Sequence, residues 1–231
     1  MGIKDVSYIH LTDEPTKDQI DAYTQCCNLV KKHISGIPIM DALSEPIFYE
    51  KGLVEVPVPN IEHYDSFASL SVKELFMYNC CYPAHGYYSN RFIIAPGLRT
   101  RILGTQLYLT NVQGFLHWGF NFYNSVLSME RINPYAVTDS CGFFPGGDGF
   151  IVYPTKTGVN YSIRAELIKE SLQDYNALLT LEGLAGKEYT LSILRDAKIE
   201  GYNQYSRCDE DFLSLRNTIY EAIKERINSR A

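Results

Sequence analysis

Short apolar runs alternate with helix-period stretches through the first half of the chain. Residues 6–11 (VSYIHL) are β-branched and aromatic, the makings of a short buried strand. Pro15 cannot extend a ladder, so Asp13 and Glu14 are left at the strand's carboxyl end. Thr16-Lys-Asp-Gln19 then matches a capping box. Ile20, Tyr23, Cys27, Val30 and Ile34 recur at helical spacing until Gly36 stops the run. A second strand is predicted over 37–43, a brief helix over 46–51, a third strand over 54–58 despite Pro57, and a fourth over 73–80. After a Tyr-, Gly- and Pro-rich loop over 81–90, Pro96-Gly97 opens a helix carrying Leu98, Ile102, Leu103 and Leu107. The fifth strand is predicted over 114–119, running into Phe120-Asn121-Phe122-Tyr123. Strands alternating with helices imply parallel pairing through right-handed crossovers.

The second half reads differently. Residues 124–158 are irregular and punctuated by Pro and Gly, with one short strand over 149–154; loops of that length in a domain are commonly functional. A long amphipathic helix begins at Ser162, with Ile163, Leu167, Leu172, Tyr175, Leu179 and Leu184 on or near one face. A last helix over 209–227 runs through Phe212, Leu215, Ile219, Ile223 and Ile227.

Composition narrows the function classes. A chain of 231 residues, 45% hydrophobic, suffices for one sizeable α/β core. It has no apolar tract long enough to span a bilayer, so no membrane partner is expected. The net charge of −6, with signs interspersed, offers no basic stripe for phosphates and argues against nucleic acid. No leader of charged plus apolar residues is visible, so the chain as it stands reads as cytoplasmic. The six cysteines, four of them in two adjacent pairs, lack zinc-site spacing and are expected to be buried free thiols. No metal or other cofactor is called for.

The candidate chemistry starts at Asp13-Glu14. The carboxyl edge of a parallel sheet is where ligands and catalytic groups gather. Two neighbouring acids also repel, which drives their pKa values apart and suits one of them to act as an acid. The competing interpretation is that both simply lead into the next helix, where first-turn acids favour the dipole.

Five motifs in order carry a resemblance: HLTDEP at 10–15, SNRF at 89–92, GFLHWGFNFY at 114–123, GDGFIVYP at 147–154 and the following SIRAELIKESLQDY. Over residues 5–190 the chain resembles the catalytic region of glycoside hydrolase family 123 and its uncharacterised relatives. The resemblance implies a (β/α)8 TIM-type barrel and an exo-acting β-N-acetylgalactosaminidase. It implies substrate-assisted retaining hydrolysis, outside the two-carboxylate rule: the sugar's 2-acetamido oxygen attacks the anomeric carbon. Carried over by position, Asp13 orients that acetamido group and Glu14 is the general acid, later the base.

Other positions have both a ligand role and a packing role open. Trp118, the sole tryptophan, is a candidate floor for the sugar ring. Asn121 and Tyr123 are candidates for ring hydroxyls, and Tyr78 for the acetamide. Asn90 and Arg91 sit where a loop enters a helix, Asn90 as a candidate substrate-binding residue and Arg91 better suited to a structural ion pair. Asp41 is placed to support the acid pair or bind a hydroxyl. Asp148 in its Gly-flanked turn is expected to bond locally. His10 and His117 are expected as hydrogen-bonding groups near the site edge rather than as metal ligands, with His117 a candidate substrate-binding residue.

Only five barrel strands are predicted, and the acid pair stands at the first of them, whereas the family places it after the fourth. The chain is therefore expected to be an incomplete barrel, about the last five βα units, with 1–190 as that barrel portion and 191–231 as a C-terminal helical extension. Exposed sheet edges would favour self-association. The function expected is removal of terminal β-linked N-acetylhexosamine, N-acetylgalactosamine first. The alternative is a non-catalytic glycan-binding or interaction remnant of a glycosidase.

Overall fold

The capping box forms as predicted: the Thr16 N–H donates to Gln19 Oε1 at 2.9 Å, ahead of helix α1, Ile20–His33. This is a computed structural model describing residues 2–229; residue 1 of the predicted barrel portion and residues 230–231 of the predicted extension lie outside it. After α1 come β1 (Met40–Ala42), α2 (Ile47–Glu50), β2 (Val56–Val58), α3 (Tyr64–Ala68) and β3 (Phe76–Tyr78). The chain then leaves this region and returns as β4 (Gly114–Leu116). These elements belong to the first of two compact units, Met1–Asn79 with Val112–Leu116.

Pairing in this unit is parallel throughout and follows chain order. Ile9 bridges Ile39, β1 pairs with β2, Asn60 just beyond β2 bridges Tyr78 in β3, and β3 pairs with β4. The alternation of the sequence thus yields a mixed α/β architecture with parallel strands, but each strand is only three residues long. Pro57 is tolerated for a geometric reason. The Val56 N–H bonds to Ile39 O, so position 57 points its missing donor to the opposite side, where pairing is confined to the Asn60–Tyr78 bridge. Ile39, Leu43, Phe48, Ile61, Phe67 and Met77 are fully buried here. Burial of each such side chain stabilises the fold by about 1.5–3 kcal/mol.

The predicted first strand is corrected. Lys4–Val6 is a 3-10 turn, and Ile3 and Val6 are exposed. Only Ile9 joins the sheet, through Ile9 N–H to Pro38 O and Met40 N–H to Ile9 O, both 2.9 Å. A β-prone run forms a ladder only where it has a partner, and among the described residues no strand lies on its other edge.

The second unit comprises Cys80–Asn111 and His117–Ala231. It contains α4 (Gly97–Arg101), α5 (Leu103–Thr110), the antiparallel hairpin β5 (Val152–Pro154) with β6 (Val159–Tyr161), and α6 (Ile163–Ala185), α7 (Lys187–Asp196) and α8 (Asp209–Asn228). Helix α7 had no counterpart in the sequence prediction. Leu98, Ile102, Leu178, Leu194, Phe212 and Ile219 share one core, so the C-terminal helices pack with α4 to α6. Helices α5 and α6 come very close at Gly104, where a Cβ would lie 1.9 Å from the Ser171 carbonyl oxygen.

The buried face of α6 also needs correction. Ile163, Leu172 and Leu179 are exposed, and the interior stripe is Arg164, Ser171, Asp174, Leu178 and Leu181. Polar residues lie inside because they are paired: Asp174 accepts from Arg101 Nε at 3.0 Å and Arg216 Nε at 2.8 Å, tying α4, α6 and α8 together. All six cysteines are free, as expected, but only Cys27 is buried.

Candidate active site

In the first unit, the residues ahead of α1 are held by one buried carboxylate. Asp41, in the middle of β1, is completely inaccessible. Its Oδ1 accepts the Leu11 N–H at 2.8 Å and lies 2.6 Å from His10 Nδ1, while Oδ2 accepts the Tyr23 hydroxyl at 2.5 Å. Burial pushes the Asp41 carboxyl above the usual range, opposed by the Tyr23 hydroxyl, the Leu11 N–H and His10. Asp41 thus anchors the segment that carries the acid pair, with the His10 ring close beside it. With its oxygens so engaged, Asp41 is placed to support rather than to bind a sugar hydroxyl.

Two residues further on, the backbone turns sharply. The Glu14 N–H donates to Ala42 O at 2.9 Å, just beyond Asp41. Glu14 itself has φ +45°, a left-handed conformation that disfavours residues with a Cβ. Such local strain, of order 1 kcal/mol or more, tends to mark functional positions. The side chain is exposed, and the hydroxyl of Tyr78, at the carboxyl end of β3, donates to Glu14 Oε1. Asp13 is also exposed, and no hydrogen bond to its carboxylate is found among the described residues. The result is one acid held by a phenol and, beside it, one carboxylate open to a ligand donor.

In the second unit, four of the sequence motifs converge on Asp148. This residue, in the Gly147-Asp148-Gly149 turn, is fully buried. Its Oδ2 accepts the indole N–H of Trp118 at 2.9 Å. Its Oδ1 stands 3.3 Å from His117 Nε2, a close but poorly aligned contact. Its backbone carbonyl accepts Arg91 Nη2 at 2.8 Å, and Arg164 Nη1 donates to the neighbouring Gly147 O at 2.5 Å. The Gly119 N–H donates to His117 Nδ1, which in the neutral ring leaves the proton on Nε2 facing Asp148. Burial lowers the His117 pKa to about 4, against the opposing pull of Asp148. Burial likewise lowers Arg91 to about 9, with Asp148 favouring its charge.

Trp118 is 40% exposed, with Phe144 and Phe122 packed around it at ring-centroid distances of 4.8 and 5.1 Å. The remaining predicted positions divide. Asn121 is exposed, its backbone bridged to Phe150. The Tyr123 hydroxyl donates to Val152 O at 3.0 Å, and its ring packs on Phe150, so it braces the hairpin. Asn90 is buried: its Nδ2 donates to Cys80 O, and its Oδ1 accepts the Arg91 N–H. It is a structural clamp rather than a surface group. From its sequence neighbours Asp148 is only a local turn residue, and nothing near Arg164 marks its bond to Gly147 O. The available signal was an acid flanked by glycines next to a buried-strand pattern, where only a distant partner satisfies the carboxylate.

Residues 1–181 match the family model described as glycoside hydrolase 123, catalytic domain. Among solved structures, the chain resembles a family 123 glycoside hydrolase from Clostridium perfringens, studied for glycolipid glycan hydrolysis, with TM-score 0.66 and 19% identity. The match covers 98% of this chain and 42% of that one, so the chain spans less than half the length of that relative. No curated protein matches the chain. With the family model covering more than three-quarters of its residues, the chain belongs to the glycoside hydrolase 123 catalytic-domain family.

Proposed function

We propose that the chain carries the acid-pair chemistry of a glycoside hydrolase that removes terminal β-linked N-acetylhexosamine, N-acetylgalactosamine first, by substrate assistance. Residues 1–190 are assigned to the C-terminal portion of a (β/α) barrel and 191–231 to a helical extension; the parallel strand order of the first unit supports the former. The observation that carries the reading is the asymmetry of Asp13 and Glu14. Glu14 is fixed by the Tyr78 hydroxyl and the strained turn, whereas Asp13 is open.

In this scheme the acetamido oxygen attacks the anomeric carbon as Glu14 gives its proton to the departing glycosidic oxygen. Asp13 accepts the acetamido N–H and stabilises the positive charge that develops on the cyclised oxazolinium-like intermediate. Water then attacks the anomeric carbon, Glu14 takes its proton, and the acetamide is regenerated with retained configuration. Tyr78 serves as the positioning partner of Glu14. In the second unit Trp118 offers a half-exposed indole as a stacking platform for a sugar ring.

The test is to offer the protein an aryl β-N-acetylgalactosaminide and the matching 2-hydroxy galactoside. Cleavage of the first alone supports the proposal, and equal cleavage of both removes the acetamide from the mechanism. Saturable sugar binding without turnover of either selects the non-catalytic glycan-binding alternative.

A further inference from the structure

Trp118 is half exposed yet hydrogen-bonded to a carboxylate that solvent does not reach. The turn that carries this carboxylate is fixed on every side. Arg91 Nη2 holds the Asp148 carbonyl, and Arg164 Nη1 holds the Gly147 carbonyl. Gly147 is at φ +87°, and a Cβ there would meet Arg164 Nη1 at 2.5 Å, so the guanidinium needs glycine in order to approach. On the other flank a Cβ on Gly119 would fall 2.7 Å from Gly149 O, so the Trp118–Gly119 backbone lies directly against the turn. The Phe122 N–H also donates to Gly149 O at 3.0 Å. In a turn locked in this way the backbone bonds do not account for the carboxylate: Oδ1 faces His117, and Oδ2 fixes the plane of the indole.

We infer that Asp148 is a positioning residue for carbohydrate binding, holding the Trp118 indole in the orientation that stacks on a sugar ring. The inference rests on the reading of Trp118 as the sugar platform. Stacking gains little unless the ring is already fixed, because ordering a mobile side chain on binding offsets the contact. A charge-assisted bond to a buried carboxylate supplies that order before the ligand arrives. Phe144 and Phe122 hold the sides of the indole, and the Nε1 bond sets its tilt.

Because Trp118 is the only tryptophan, its emission reports this site alone. Two measurements separate the inference from the reading beneath it. Without ligand, Asp148→Asn is expected to red-shift the emission and increase quenching by acrylamide; unchanged emission and quenching would overturn the positioning role. With methyl β-N-acetylgalactosaminide, the wild type is expected to show a saturable emission change. Asp148→Asn should then weaken Kd about tenfold, the equivalent of one charged hydrogen bond. A wild-type emission response with unaltered affinity in the variant would overturn the inference while leaving the platform intact. No response in the wild type, together with unchanged calorimetric affinity in Trp118→Ala, would overturn the platform reading and the sugar role of Asp148 with it. If Asp148→Asn does not fold, Trp118→Phe removes the donor and keeps an aromatic face. It should lose about tenfold in affinity by calorimetry, and wild-type affinity would refute the proposal.

Discussion

The Tyr78 hydroxyl, at the end of the third short strand, donates its hydrogen to Oε1 of Glu14, which is itself held at φ +45°. The contact joins residues 64 positions apart, one from a strand end and one from a strained turn. It distinguishes Glu14 from Asp13, its exposed neighbour in sequence.

That contact predicts a graded loss of activity. Tyr78→Phe should lower kcat on an aryl β-N-acetylgalactosaminide about tenfold, the scale of one hydrogen bond to a charged group. Glu14→Gln should lose about 10²–10⁴-fold on a substrate with a poor leaving group and less on an activated aryl glycoside. Steady-state kinetics across a leaving-group series measures both. Identical losses for all leaving groups would remove Glu14 as the proton donor.

Asp41 should govern stability and, through it, the acid pair. Asp41→Ala strips partners from Leu11 N–H, His10 and Tyr23 at once and should cost about 3 kcal/mol in denaturant unfolding. Asp41→Asn keeps one carbonyl acceptor and should cost less. Equal midpoints for the wild type and Asp41→Ala would show that the network does not hold this segment.

His117 gives the protein an acid-sensitive element. Its folded pKa of about 4 lies below the ordinary 6.5, so between those values the unfolded chain binds a proton that the folded chain refuses. Stability from this group is therefore present above pH 6.5 and falls as the pH drops toward 4, by on the order of 3 kcal/mol in full. Asp41 works in the opposite sense, because its raised carboxyl is relieved by protonation as the pH falls. His117→Gln isolates the first effect: its melting temperature should decline less than that of the wild type between pH 6.5 and 4.5. Parallel slopes would contradict the assignment.

Much of the secondary structure was legible because it rests on local chemistry. The capping box at Thr16 and the apolar positions of the last helix need only neighbours within a few residues. Parallel pairing of the strands followed from their alternation with helices. What failed depended on distant partners. Residues 6–11 had strand-like composition, but a ladder requires a neighbour that only Ile9 found. The interior face of α6 was misassigned because Asp174 and Arg164 are buried by pairing with residues far along the chain. The candidate site divides in the same way. Asp13 and Glu14 announce themselves as adjacent acids before a proline. Asp148 looked like a turn residue because nothing near it in sequence reveals Trp118 Nε1 as its partner.

Binding of a thiazoline analogue of cyclised N-acetylgalactosamine, followed by calorimetry, tests the acetamide chemistry most directly. Mimicry of a high-energy state should make it bind about 10²-fold or more tighter than N-acetylgalactosamine itself, and Asp13→Ala should remove that advantage. Equal affinity for the analogue and the parent sugar, or an advantage untouched by Asp13→Ala, would contradict the proposed mechanism.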